Sequence, residues 1–451
     1  MKKVAFISAN TYKNPYPIYP IGISYIVTYL RAKMPDHSLD VFDCNFGTYD
    51  DLAAFCRNGN YDFIGISLRN IDDNNLFSNN WFVAHYRRVM DTVRANSQAI
   101  VSIGGSGFSI YPDILFDVLK PDWAIKGEGE ESLYQLITRL EKGESVTDIE
   151  GLVYRRPDGT VTVNPRTHYL TKLSLEVEPQ EATYYFEQSG MLNIQTKRGC
   201  PYGCIFCSYP VIEGRHMRTL DTRLVVENIK ELYHSKGITY LFFTDSIFNI
   251  QKEYNQELCH RLIESGVKVS WGAYFTPHNL TSEELALYQQ AGLTHIEWGT
   301  DSLSDPVLEK YNKRFRFQDI VATSQMAGNL GIFHAHFLIL GGYGETDATL
   351  DETFAHSTQL GLTVYFPYIG MRIYPETRLF EIAKAEGLIT SREALLNPTY
   401  YVSKEITVAT LKERALATGQ KWIFPDTPAS PMVEKFRAKK RRGPLWEFLR
   451  Y

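Results

Sequence analysis

Lys197-Arg198-Gly199-Cys200-Pro201-Tyr202-Gly203-Cys204-Ile205-Phe206-Cys207 is the stretch on which the reading of this chain turns. Its three thiols stand four and three residues apart on one short loop. Thiolates at that spacing can wrap one face of a compact iron–sulfur cluster. A structural zinc site normally closes its shell with four ligands, and the chain has no second CxxC and no HxxxH pair to complete one. Three cysteines on a four-iron cluster leave one iron open, and an open iron can chelate the amino and carboxylate groups of a substrate. Gly199 and Gly203 let the backbone bend close to such a cluster. Three unligated thiols, or a zinc loop with a remote fourth ligand, are the alternatives. Cys44, Cys56 and Cys259 are scattered and read as buried small apolar residues.

Downstream and upstream of this loop the chain keeps a βα rhythm. From about residue 186, strand candidates are Leu192–Thr196, Tyr240–Thr244, Val267–Tyr274, His295–Gly299, His334–Leu340 and Thr363–Pro367. Helical patterns such as Arg223–Lys236, Glu283–Ala291 and Val307–Asn312 lie between them. Such a series predicts a partial (β/α)6 parallel barrel over 186–385, with its chemistry at the carboxyl-end loops. The first third alternates in the same way. Lys3–Ala9, Leu39–Phe42, Asp62–Ser67, Ala99–Gly104 and Trp123–Lys126 read as strands, with amphipathic stretches between them. This predicts an α/β, doubly wound (Rossmann-like) parallel sheet over 1–145 whose ligand sits at the carboxyl ends of the strands. Residues 146–185 read as a connector, with a hairpin around Pro157-Asp158-Gly159. Residues 386–451 read as a helical C-terminal extension.

Composition sets the surroundings. With 44% hydrophobic and 22% charged residues the chain is globular, and 451 residues suit two domains plus a tail. A formal net charge of −5 offers no electrostatic reason to expect nucleic acid as the main partner. No stretch has the length of a membrane span, and the start MKKVAFISAN is too briefly apolar for a signal peptide. The expected location is cytoplasmic, where a tight cysteine triplet argues for metal rather than disulfides. The basic run Lys435–Arg442 reads as a solvated face or tail, and Trp446, Phe448 and Leu449 after it could dock the tail onto the body.

The CxxxCxxC loop after the first barrel strand resembles the radical S-adenosylmethionine superfamily, and later segments agree in order. His295-Ile296-Glu297-Trp298-Gly299-Thr300-Asp301-Ser302 resembles that family's fourth-strand segment. Phe337-Leu338-Ile339-Leu340-Gly341-Gly342-Tyr343-Gly344-Glu345-Thr346 resembles its fifth-strand segment, with Tyr343 in place of proline. Tyr374-Pro375-Glu376-Thr377 resembles the close of the barrel, with Glu376 where glycine is usual. The usual Gly-Gly-Glu after the second strand is replaced by Thr244-Asp245-Ser246. The first module is similar to the cobalamin-binding domain that precedes many such barrels. The matching pieces are Tyr19-Pro20-Ile21-Gly22, Gly65-Ile66-Ser67, Ile103-Gly104-Gly105 and Gly127-Glu128-Gly129-Glu130. The cobalt-ligating Asp-x-His-x-x-Gly signature of cobalamin mutases is absent.

The resemblance implies a [4Fe-4S] cluster on Cys200, Cys204 and Cys207 that cleaves S-adenosylmethionine. It implies contacts to that cofactor from Phe206, Asp245, Glu297, Ser302, Gly341, Gly342 and Tyr368. It implies a cobalamin site built from Tyr19, Gly22, Ser67, Arg69, Asn70, Gly104, Gly105, Ser106, Gly127, Glu128 and Gly129. Arg69 is the candidate for the cobalt's lower face, with pairing to Asp72 or Asp73 as the alternative. The implied reaction is cobalamin-dependent methyl transfer to an unreactive carbon of a small molecule or peptide. An external electron donor of the flavodoxin or ferredoxin type would be needed. Relatives with both modules also perform ring closures, contractions or couplings, and a non-enzymatic cobalamin or redox sensor is the rival from another class. Tyr209, His216, Tyr274, His278, Trp298 and His336 are candidates for a substrate pocket. If a methyl group is to pass directly, the carboxyl-end loops of the two modules must face one shared cavity.

Overall fold

The computed structural model describes residues 2–78, 80–171, 179–427 and 430–449. Five short apolar runs become the parallel strands Lys3–Ser8, Ser38–Asp43, Phe63–Ser67, Ile100–Gly104 and Trp123–Ile125. The central ones are buried on both faces by helices, which is why they read as continuous hydrophobic runs rather than as alternating ones. In space they follow the order second, first, third, fourth, fifth. The order reverses between the first and third strands, and that switch point is where a doubly wound sheet opens a crevice. Two further strands, Leu152–Arg155 and Val161–Val163, extend the same sheet antiparallel. The expected hairpin is therefore an edge of the first sheet. It covers the backbone of Trp123–Ile125, an edge that would otherwise be left unpaired. The rest of the expected connector falls partly on 172–178, outside the described residues.

The second sheet also has seven strands, all parallel. Leu192–Ile194, Tyr240–Phe243, Ser270–Phe275, Leu293–Asp301, Phe333–Leu340 and Val364–Ile369 lie side by side in chain order, and Lys421–Trp422 is added at the far edge. Lys421–Trp422 belongs to the stretch expected to be a helical tail. Two residues carry no readable period, and the strand is held by Trp422 stacking on Tyr365 at 4.6 Å. The helices between strands start on local signals. Thr281 and Glu284 form a capping box ahead of Ser282–Gln290, as Thr346 and Thr349 do ahead of Asp347–Ser357.

The sheet is open, and the tail docks against its first edge. Val433, Phe436 and Leu445 pack with Tyr16 of the first module. Gly443 N–H donates to the Gly190 carbonyl at 3.0 Å and Arg437 to the Gln188 carbonyl at 2.9 Å. The basic run is thus split: Arg437 and Arg442 hold residues 187–188, while Lys435, Lys439 and Lys440 face solvent.

The two modules share one apolar core. Ile64, Ile66, Phe108 and Phe116 of the first pack in one cluster with Ile205, Met371, Ile373 and Leu379 of the second. Buried ion pairs lock the junction. Arg372 Nε donates to Asp72 Oδ2 at 2.9 Å and its Nη2 to the Tyr111 hydroxyl at 3.1 Å. Arg198 pairs with Glu130 at 2.7 Å, and Arg218 pairs with Glu128.

Candidate active site between the two modules

The cysteine loop is shaped by contacts that only glycine and a turn permit. Gly199 has φ +92°, and a Cβ there would lie 2.2 Å from the His216 carbonyl oxygen. Its N–H donates to the Glu213 carboxylate at 2.9 Å, and its carbonyl accepts from the Ser246 hydroxyl at 2.7 Å. The later part of the loop is tied to the barrel: Ile205 N–H donates to Tyr311 O at 3.3 Å, and Leu379 N–H to Ile205 O at 2.8 Å. Burial raises the Cys200 thiol and pushes the Cys207 thiol up to about 12, and in both cases the charge of Cys204 adds to the effect. The three thiols therefore sense one another, and metal binding would have to displace their protons. Among the described residues no three His, Cys, Asp or Glu side chains converge on a point that could hold a single ion. A four-iron cluster bound there would take one thiolate of this loop on each of three irons. Phe206 lies edge-on to Tyr311, with ring centres 6.1 Å apart. Gly342 leaves room for the Tyr311 hydroxyl, which a Cβ would meet at 2.1 Å. Gly341 has φ +79°, and its N–H donates to the Glu345 carboxylate. Burial pushes Glu345 up to about 8.

Between the carboxyl ends of the two sheets lies a cavity of about 560 Å³. All of Tyr19, Gly22, Ser67, Arg69, Asn70, Gly104, Gly105, Ser106, Gly127, Glu128 and Gly129 line it. So do Asn193, Gln195, Arg198, Tyr209, Ile212, Glu213, Thr244 and Tyr374 of the barrel. The first module's loops thus face the barrel across this cavity, where the residues flanking the cysteine loop, Arg198 and Tyr209, line it, while Cys200, Cys204, Cys207 and Tyr368 do not. Small residues do bring the backbone to this wall: Gly105 has φ +98°, and a Cβ there would clash with Leu68 O at 2.6 Å. Glu128 reaches the wall, but its carboxylate is taken by Arg218 and by the Leu170 N–H.

Arg69 behaves differently from its neighbours. Asp72 is engaged by Arg372, and Asp73 accepts from Ser78, Asn75 and Asn80. Neither takes the Arg69 guanidinium, which has no hydrogen-bond or ion-pair partner among the described residues. It stands in the cavity near Tyr274, Tyr209, Tyr86 and Tyr185, and burial lowers its affinity for a proton. A cation held over such a wall without a counter-charge suits an electron-rich face of a bound group.

Several tyrosines gather around Glu297. Glu297 is buried, which pushes it up to about 7 against the hydrogen bond that Trp446 Nε1–H donates to it at 3.0 Å. Its charge reaches Tyr16, Tyr240, Tyr274 and Tyr368. Burial raises Tyr368 to about 12, and Tyr12 and Asp73 of the first module also act on it. Tyr274 and Tyr209 lie deep in the molecule yet keep 38% and 36% of their surface accessible, so both face open interior space. Ser302 is buried and accepts from the Ser304 N–H at 3.2 Å.

Four expected residues sit elsewhere. Asp245 has no accessible surface: its carboxylate accepts from Thr196 N–H at 2.6 Å, Lys197 N–H at 2.9 Å and the Thr196 hydroxyl at 2.6 Å, and pairs with Lys197 at 3.0 Å. With its oxygens saturated it ties two strand ends together and has nothing left for a methionine amine. Trp298 and His336 point to the helix side of the sheet, because alternate residues of a strand face opposite ways. They stack with ring centres 6.5 Å apart, and His336 lies against Tyr365 as well. His216 is exposed and does not line the cavity. Sequence reasoning missed Lys313, Tyr16 and Trp446 as site residues. Only Trp446 carried a signal, as an aromatic in a tail able to dock.

The comparisons with known proteins agree with this architecture. Residues 8–137 match the family model of the B12 binding domain, and residues 194–356 that of the radical SAM superfamily. An uncharacterized methyltransferase of Pyrococcus horikoshii is 23% identical over 405 residues, covering 86% of this chain and 85% of that protein. Tryptophan 2-C-methyltransferase of Streptomyces laurentii is 25% identical over 427 residues, covering 80% and 71%. The structure of the radical S-adenosylmethionine methyltransferase TsrM from Kitasatospora setae, with cobalamin and a [4Fe-4S] cluster bound, matches with a TM-score of 0.90 at 20% identity, covering 100% of this chain and 98% of that one. The chain thus carries a B12 binding domain over residues 8–137 followed by a radical SAM domain over 194–356, the two modules of a cobalamin-binding radical SAM enzyme.

Proposed function

We propose that the protein is a cobalamin-dependent radical S-adenosylmethionine methyltransferase that places a methyl group on a carbon of a small molecule or peptide. The observation that carries this is the shared cavity, with Arg69 and the glycine wall on one side and Tyr209, next to the cysteine loop, on the other. Direct methyl transfer needs reacting atoms within roughly 3–3.5 Å, and a common cavity is the arrangement that allows it. Cobalamin bound there would supply the methyl carrier, and the cluster a one-electron source for cleaving S-adenosylmethionine. Cys200, Cys204 and Cys207 would hold the cluster. Phe206, Gly341, Gly342, Ser302 and Tyr368 would cradle S-adenosylmethionine beside it. Arg69 would set its unpaired cation against the bound corrin, where a positive charge favours an electron-rich cofactor. Tyr209, in the cavity wall, and Tyr274, accessible in the barrel, would meet the substrate, and the walls would exclude water. Electrons would come from a carrier of the flavodoxin or ferredoxin type, and a cytoplasmic setting suits thiols that must stay reduced.

The test is anaerobic purification with cobalamin supplied during expression. The ultraviolet–visible spectrum should carry both cluster and corrin bands, and methyl label from S-adenosylmethionine should pass to the bound corrin. A protein with the cluster but no corrin at any cobalamin supply would defeat the reading. Among the described residues no helix is long and apolar enough to cross a membrane.

A further inference from the structure

Lys313 is a buried cation beside the cysteine loop that no motif assigns. It follows the helix Asp305–Lys310, and its ammonium donates to the Gly299 carbonyl at 3.2 Å and pairs with Asp301. It lies 5.9 Å from the ring centre of Phe206, between Cys204 and Cys207 in sequence, and 5.7 Å from that of Phe315. The ammonium is the end of the pair that stands over the Phe206 ring, and Phe206 is bonded directly to Cys207, so the cation lies on the side of the cysteine loop. Asp301 has φ +61°, a backbone region that few non-glycine residues occupy, and there its carboxylate faces the ammonium.

We propose that Lys313 and Asp301 form a fixed dipole that sets the reduction potential of the cluster on Cys200, Cys204 and Cys207. This rests on the reading that those three cysteines hold a four-iron cluster. Three thiolates give the oxidised cluster a net negative charge, and taking one electron from an external reductant adds one more. No bond or proton changes at the pair. An ammonium beside the cysteine loop stabilises the reduced state, and the carboxylate paired with it offsets part of that effect; net charge near the sulfurs is one of the levers on cluster potential.

The decisive feature is opposite signs. Lys313→Met should move the midpoint potential of the reconstituted cluster to more negative values. Asp301→Asn, which keeps the shape and tolerates the left-handed backbone, should move it to more positive values. Lys313→Arg should stay near wild type. The measurement is a potentiometric titration with dithionite followed by electron paramagnetic resonance, without S-adenosylmethionine, on protein whose iron and sulfide have been counted. Shifts of the same sign in Lys313→Met and Asp301→Asn, or no shift in either at wild-type iron content, would overturn the proposal. If Lys313→Met loses its cluster, Asp301→Asn decides alone: an upward shift supports the dipole, and no shift or a downward one removes it. A wild type that binds no iron would instead sink the cluster reading beneath it.

Discussion

Glu297→Gln should flatten the pH dependence of stability near neutrality. Glu297 sits in the barrel lumen, and burial moves its titration from about 4.5 to about 7 despite the hydrogen bond from Trp446. A carboxyl raised in the folded state keeps its proton where the unfolded chain has lost it. Below about pH 4 it is protonated in both states and costs nothing. As pH climbs from about 4.5 to about 7 the unfolded chain binds fewer protons than the folded one, and stability is lost until the folded carboxyl also ionises. At about 1.36 kcal/mol per pH unit, the part of this window between pH 5.5 and 7 amounts to roughly 2 kcal/mol. With an unfolding entropy of about 2.1 cal/mol/K per residue, the 451 residues convert that into roughly 2 °C of melting temperature. Glutamine has no proton to lose. The difference in melting temperature, Gln variant minus wild type, should therefore grow by roughly 2 °C between pH 5.5 and 8, whatever its value at the acidic end. Differential scanning calorimetry of both proteins across that range, without ligands, reads it directly. Two parallel curves would show that Glu297 titrates as an ordinary carboxylate and that the lumen is wetter than the packing around Trp446 implies.

Replacing Cys200, Cys204 and Cys207 together by Ala should abolish iron and sulfide uptake and all cleavage of S-adenosylmethionine, and unchanged iron content would refute the assignment. Arg69→Ala should leave the fold intact, as circular dichroism reads it, while changing the spectrum or potential of bound cobalamin; an identical spectrum would move Arg69 away from the corrin. Arg198→Met leaves Glu130 buried without its partner, and breaking such a pair costs about 3–5 kcal/mol. The expected fall in melting temperature is roughly 3–5 °C, and a fall below about 0.5 °C would mean that the clasp between the modules adds nothing.

What repeats along the chain, or what chemistry demands locally, is legible in the order of its residues. The βα rhythm settled both parallel sheets, because buried parallel strands are short apolar runs that need no partner to be recognised. The cysteine spacing singled out the loop, since three thiols seven residues apart end to end can reach one centre. The glycines at strand ends marked the cavity wall, and at Gly105 the backbone has no room for a Cβ. The tertiary structure alone decided which polar residues face the cavity. Asp245 and Arg69 both follow strand ends, yet one is saturated by Lys197 and Thr196 while the other stands unpaired. Trp298 and Glu297 are neighbours on one strand, and the pleat sends one to the helices and the other to the lumen. Lys313, Trp446 and Tyr16 reach the site from segments without a motif, brought there by long-range packing. Side-chain pairing between residues far apart in the chain has no period to read, so the partner of a buried charge is known only once the chain has closed on itself.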